Sequence, residues 1–326
     1  MNLDARLTVL GSLNMDISVT VPALPGPGET VLGGGAVFAP GGKGANQAVA
    51  AARLGVPSGM TVRMVGCVGD DDFGRTLRAA IAAEGVDGQT VRTVPGVPTG
   101  IAMITVDQSG ENIITVAPGA NHEVGAAEIA AVEESLQAAR AGTADVLVIS
   151  AEIPVPAILA ALAPSVTGAP RPLTVLNLAP APPGAAELIA ARPDWLVVNE
   201  SEAAAVLGRP VSGLADAADA AAGLVAAGAR GAVVTAGVAG AAYYGGENQE
   251  SAATIAAFRV RAVDTVGAGD TFVGALAVAL AAGISPRDAV SAASAAGAAA
   301  VTKPGTQSGM PRPPDVQAAT GYRWPL

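Results

Sequence analysis

Cysteine, histidine, aromatic side chains and basic residues are all scarce in this 326-residue chain, and each scarcity removes a class of function. A single cysteine, Cys67, leaves no disulfide to form within the chain and suits a reducing compartment. A single histidine, His122, then leaves no Cys/His zinc cluster and little scope for a histidine-based triad. His122 sits in PGANHEV and reads as a solvated loop residue; Cys67 sits in RMVGCVGD and reads as a small buried hydrophobe. Aromatics make up only 3% of the chain, so stacking platforms for bases or single strands are not expected. The 18 Lys and Arg against 28 Asp and Glu give a net charge of −10, which argues against nucleic acid or an anionic membrane as partner. The longest apolar stretch, about residues 272–284, is Ala/Gly-rich and too short to span a bilayer. The opening MNLDARLTVLGS lacks a basic region followed by an apolar core. A cytoplasmic protein is expected.

What is abundant is aliphatic. Hydrophobic residues reach 51%, mostly Ala and Val, enough for a large core. Short β-branched runs (VRMVGCVGD, ADVLVIS, PLTVLNLAP, PDWLVVNE, GAVVTAG) alternate with Ala-rich segments such as GANQAVAAARLG, DFGRTLRAAIAAEG and ADAADAAAGLVAAG. Such alternation predicts an α/β fold with a parallel sheet covered on both faces. Near-continuous apolar strands are what burial on both faces requires. Two stretches break the pattern. DISVTVPALPGPGETVLGG contains no helix, and GIAMITVDQSGENIITVAPGAN reads as a β-hairpin about the turn DQSGEN. They are expected to form a small separate sheet acting as a lid, the alternative being an extension of the main sheet.

The stretch VDTVGAGD ends an extended lead-in and opens a long Ala/Leu/Val helix. Gly267 and Gly269 allow a tight turn that presents bare amides, and the helix N-terminus adds partial positive charge. Asp270 beside them either caps the helix or stands as a base next to a bound anion. Two standard nucleotide cradles are absent. A dinucleotide fingerprint needs a small residue where the chain has Phe272, and a P-loop needs Gly and Ser/Thr where it has Val37 and Gly44. Elsewhere, Gly41 and Gly42 precede Lys43, with Asn46 on the first helical turn, placing a cation and an amide toward a polar ligand. Asn14 and Asp16 are two apart on an extended segment and so share a side, which suits a polyhydroxylated ligand. Asn199 and Glu202 follow the strand DWLVV; the plain reading is a helix cap by Asn199 or Ser201, and it is compatible with a ligand role.

These residues resemble a known family. GGKGANQA, with NMD near the N-terminus, NESE, and DTVGAGDTF near the C-terminus, resembles the ribokinase branch of the PfkB-type carbohydrate kinases, and the resemblance runs from VLGSLNMD to VTKPGTQSGMP. It implies a ribokinase-like three-layer α/β/α fold with a central, mostly parallel sheet. Residues 1–326 would form a single domain, with lid segments at about 16–38 and 99–118 that also make a homodimer contact. It implies ATP-dependent phosphorylation of D-ribose at O5, with Asp270 as the base and the amides of Gly267, Ala268 and Gly269 as the anion hole. Asn14, Asp16, Gly42, Lys43, Asn46 and Glu152 would hold the sugar; Asn199 and Glu202 would serve the phosphates and Mg2+. Thr235, Gly237, Gly240 and Ser294 would line the nucleotide pocket. Asp264, Val266, Ala300, Lys303 and Gly305 would wrap K+, largely through carbonyls. The chain departs from the pattern at Ser294, where some relatives carry histidine, and at Gly309, where a serine can donate a cation ligand. The alternatives are a family member acting on 2-deoxyribose, fructose or a nucleoside, and a non-catalytic sugar-binding regulator. An oxidoreductase would need the fingerprint that is missing.

Overall fold

The computed structural model describes residues 5–137, 144–163, 171–245 and 252–326. Its strands are β1 (Ala5–Leu10), β2 (Asn14–Thr20), β3 (Val37–Gly41), β4 (Thr61–Gly69), β5 (Val91–Val94), β6 (Gly100–Val106), β7 (Asn112–Ala117), β8 (Ala144–Ser150), β9 (Leu173–Asn177), β10 (Trp195–Asn199), β11 (Gly231–Thr235), β12 (Gly240–Gly245) and β13 (Ala253–Ala256). Its α-helices are α1 (Lys43–Gly55), α2 (Asp72–Ala83), α3 (Ala126–Gln137), α4 (Val155–Leu162), α5 (Ala185–Ala190), α6 (Glu200–Leu207), α7 (Gly213–Ala226), α8 (Ala268–Ala281), α9 (Pro286–Ala300), α10 (Thr306–Gly309) and α11 (Pro313–Thr320).

Among the described residues, nine strands form the main sheet in the order β13-β12-β11-β10-β9-β8-β1-β4-β5. Every pairing from β11 to β5 is parallel, whereas β12 and β13 close one edge antiparallel. This edge escapes the sequence pattern because GAAYYG and ATIA are too short and too Ala/Gly-rich to read as strands. Helices cover both faces. One core layer joins α1, α8 and α9 to the sheet, and the other joins α4 and α7 to its opposite face. The strands between the layers are buried along their length, as Val146, Leu147, Val148 and Ile149 of β8 show. No helix among the described residues is long and apolar enough to cross a membrane.

The two stretches without helices form a sheet of their own, β3-β2-β6-β7, rather than extending the main one. β6 and β7 are the expected hairpin, and Asp107 closes its turn by accepting from the amides of Ser109 and Glu111. β2 pairs parallel to β6 and antiparallel to β3, with Asn14 opposite both Gly41 and Gly100. The chain passes from β1 to β2 over only Gly11–Leu13, so the lid is rooted at the carboxyl end of the main sheet, where ligands bind in open α/β folds.

Small residues set the closest approach. A Cβ on Gly274 of α8 would lie 2.7 Å from the Gln47 carbonyl oxygen of α1, so these helices cross with backbones almost touching. That approach lets the first turn of α8 meet polar side chains from the first turn of α1.

Candidate active site

The two helix N-termini are built in the same way. Gly42 precedes α1 with φ 87°, and Gly267 precedes α8 with φ 78°; both lie in the left-handed region that favours glycine, and neither carries a capping side chain. Gly42 is further constrained, since a Cβ there would meet the Asn14 amide nitrogen at 2.6 Å. The open end of α1 is satisfied by Glu152, whose Oε2 accepts from the Lys43 amide (3.2 Å) and from the Ser12 hydroxyl (2.6 Å). At α8, the Ala268 amide turns back to the Thr265 carbonyl (3.3 Å), and Thr271 makes the first helical bond, to Gly267. Among the described residues, no carbonyl takes the amides of Gly267, Gly269 or Asp270. These free amides and the helix dipole suit an anion.

Asp270 does not cap its own helix. It is buried, with Oδ2 accepting from Asn46 Nδ2 (2.9 Å) and Oδ1 from Gln47 Nε2 (3.1 Å). Asp270, Lys43, Asn199, Glu202, Thr235 and the glycines Gly267 and Gly269 line one cavity of about 120 Å³. The cap at Asn199 is also real. Asn199 Oδ1 accepts from the Glu202 amide and Glu202 Oε2 from the Asn199 amide, both at 2.8 Å, while Ser201 plays no such part. Both side chains are thus held rigidly at the cavity wall.

Asn14 and Asp16 lie on β2 as its alternation requires. Asn14 Oδ1 accepts from Asn121 Nδ2 (2.7 Å), and the Asp16 carboxylate lies over Gly41, where a Cβ would displace it. Asp264 ties two loops together, accepting from the Val266 amide (3.0 Å) and the Gly305 amide (2.8 Å). Lys303 turns its ammonium outward to Asp315 (2.8 Å), and the carbonyls of Ala300 and Lys303 face Gly309. Gly237 and Gly240 do not line the cavity; Gly240 packs against the Ile255 carbonyl instead. Ser294, on α9, has a buried hydroxyl without a hydrogen-bond partner among the described residues. His122 is exposed at the 3-10 turn Gly119–Glu123. Cys67 is buried, with Arg92 donating to its sulfur (3.3 Å).

Sequence reading passes over four buried or half-buried amides that organise this site: Gln47, Asn121, Asn177 and Gln307. Gln307 donates to Asn46 Oδ1 (3.0 Å), Gln47 donates to Asn177 Oδ1 (2.9 Å), and Asn121 grips Leu13 through both its N–H and its carbonyl. The signal for Gln47 is a long amide inside the apolar run ANQAVAAA, where only a partnered polar group is tolerated.

Charge at the site is lopsided. Lys43 stands among Asp270, Glu152, Glu202 and Asp16, and their field, Asp270 foremost, raises its pKa. Burial above all raises the carboxyls of Glu202 and Asp16; that of Asp16 is pushed up to about 7, with the charges of Glu152 and Asp270 adding to the effect and Lys43 opposing it. The sign for stability follows from proton uptake. Between the ordinary Asp value of about 4 and this raised value, the folded state holds a proton that the unfolded chain releases, so stability falls as pH rises through that window. Asp16→Asn removes the ionisation. The variant is expected to melt at or above the wild-type temperature at about pH 8, with a flatter melting curve against pH, and to lose sugar turnover. Melting temperatures across the window check this; an equal slope in both proteins contradicts a half-buried Asp16 with a raised pKa.

A parallel α/β sheet, a β lid at its carboxyl edge and a carboxylate beside open helix amides define a small-molecule phosphotransferase. The chain belongs to the pfkB family of carbohydrate kinases, whose model matches residues 4–313. It is an ATP-dependent carbohydrate kinase. It is 38% identical over 310 residues to a ribokinase of Schizosaccharomyces pombe, covering 94% of this chain and 95% of that protein. Among solved structures, a ribokinase of Thermotoga maritima matches with a TM-score of 0.82 at 33% identity, over 96% of this chain and 98% of that one. An Arabidopsis thaliana ribokinase complexed with ribose and ATP matches with a TM-score of 0.82 at 27% identity, over 98% of this chain and all of that one.

Proposed function

We propose that this chain transfers the γ-phosphoryl group of ATP to O5 of D-ribose. The observation that carries the reading is Asp270, buried at the cavity wall with both oxygens held by amides and the open amides of Gly267 and Gly269 beside it. Full-length similarity to ribokinases supports ribose as acceptor. Asp270 takes the proton from the sugar O5 hydroxyl as that oxygen attacks phosphorus, and ADP leaves. Asn14, Asp16, Lys43, Asn46 and Glu152 hold the sugar hydroxyls, while the glycine amides receive the charge of the transferring group. Positioning and charge stabilisation dominate such transfers. ATP lies over the cavity, with Thr235 on the phosphate side and Ser294 on the side of the adenine.

Mg2+ fits the residues present. Asn199 and Glu202 offer oxygens at the cavity wall, and no group of three or more His, Cys, Asp or Glu side chains forms a metal cage among the described residues. Asn199 and Glu202 would hold Mg2+ there, and the bound ion would offset the triphosphate charge. A monovalent cation such as K+ would sit in the loops of Asp264, Val266, Ala300, Lys303 and Gly305. The inward carbonyls of Ala300 and Lys303 support this, and Gly309 adds no hydroxyl. The chain works as one kinase domain with its lid, and in the cytoplasm, which the free thiol of Cys67 favours. Val37, Ile114 and Val116 stand exposed on one face of the lid sheet, which supports a homodimer through that face; sedimentation at the mass of one chain would overturn it.

The deciding experiment is an acceptor panel with ATP: ribose, 2-deoxyribose, fructose and a nucleoside, each with and without Mg2+ and K+. Ribose is expected to give the highest kcat/KM, to require Mg2+ and to be stimulated by K+. Another acceptor turned over better than ribose sinks the ribose assignment and keeps the kinase.

A further inference from the structure

Gln47 is wholly buried, so it is sealed from the cleft and cannot touch the sugar. Its side-chain nitrogen nevertheless makes two bonds, to Asn177 Oδ1 (2.9 Å) and to Asp270 Oδ1 (3.1 Å). Asn177 is itself fixed, donating to the Val197 carbonyl (3.2 Å). Gln47 Oε1 is buried and has no partner among the described residues. The orientation of this amide is therefore forced. Turned over, its oxygen would face two oxygen acceptors at once, and its donors would lie where nothing accepts. An unpartnered buried carbonyl is costly, and such a cost is tolerated where the group serves the site.

The result is a relay across four elements: the Val197 carbonyl of β10, Asn177 at the end of β9, Gln47 of α1, and Asp270 of α8. The other oxygen of Asp270 is held by Asn46, which is held in turn by Gln307. Asn46 is expected to bind sugar, so its hold on Asp270 would be shared with the substrate. Gln47 has no such second duty.

We propose that Gln47 is a positioning residue for phosphoryl transfer: through its paired bonds to Asn177 and Asp270 it locks the carboxylate in the rotamer that faces the acceptor hydroxyl. The proposal rests on Asp270 being the base. Misplacement of a reacting group by about 1 Å can cost about 10²-fold in rate, so a freed carboxylate has a large effect even with all cleft groups in place.

The test uses the full chain and steady-state kinetics with ribose and ATP. Gln47→Met keeps the length of the side chain and removes both donors and the unpartnered oxygen. Its kcat is expected to fall about 10- to 100-fold, with KM for both substrates within about threefold of wild type. Gln47→Glu faces two acceptor oxygens and can donate only while protonated. Its deficit relative to wild type is expected to shrink as pH falls, a response that simple loss of packing does not produce. Asp270→Asn is run beside them. If it retains turnover, the base assignment fails whatever Gln47 does. If it is inactive and Gln47→Met has a kcat within about twofold of wild type, the Gln47 proposal is overturned. Should Gln47→Met not fold, Asn177→Ala loosens the relay from its far end; it is expected to lower kcat more than it changes KM, and an unchanged kcat overturns the proposal.

Discussion

Asp270→Asn is expected to lower kcat by about 10²- to 10⁴-fold, the range a positioned general base contributes. Binding of ribose and ATP should stay within a few-fold of wild type. The replacement is isosteric, but the two oxygens now accept from Asn46 and Gln47, so an amide nitrogen in place of either meets a donor. Some local rearrangement follows, and a melting temperature measured alongside separates it from loss of the base. The discriminating pair of measurements is kcat at saturating substrates and calorimetric affinity for ribose. A kcat within about threefold of wild type refutes Asp270 as the base; lost affinity with unchanged kcat makes it a binding residue.

Gly269→Ala is expected to separate catalysis from stability. Gly269 adopts no left-handed conformation, and an added Cβ would meet nothing within 4 Å. The folded protein therefore has room for the methyl group, and alanine at the second position of α8 is a better helix former than glycine. Gly269 lines the cavity, so the methyl group is added at its wall, beside the open amides. A phosphoryl group displaced from those amides by about 1 Å loses about 10²-fold in rate. The expected outcome is a melting temperature equal to or slightly above wild type, with kcat/KM for ATP down by that factor. Gly42→Ala is the contrasting control: its φ of 87° and the Asn14 amide 2.6 Å away predict loss of folded protein first. Gly269→Ala with full activity would show that the anion does not sit at this helix end.

Much of the architecture is legible in the residue pattern, because burial has a period. Strands buried on both faces read as apolar runs, and β8, β9, β10 and β11 stand where ADVLVIS, PLTVLNLAP, PDWLVVNE and GAVVTAG place them. The lid is legible for a different reason: its stretches carry no helical pattern, and GIAMITV and NIITVA are β-branched runs joined by the polar turn DQSGEN. The antiparallel edge of β12 and β13 is not legible, since short Ala/Gly segments carry no periodic signal and pair only because β11 offers an open side. At the site, glycines that need a positive φ or a close approach mark their own positions, as Gly42 and Gly267 do.

The sequence by itself thus determined the layers, the lid, the two glycine-led helix starts and the carboxylate at the second of them, because burial periodicity and backbone conformation are local properties. Only the tertiary structure decided which groups hold that carboxylate. Asn46 and Gln47 lie more than two hundred residues from Asp270 along the chain, and Asn177 nearly one hundred. Nothing in a local pattern names such partners; they meet because α1 and α8 cross at glycine distance over the carboxyl ends of the strands, leaving buried amides only one another to bond.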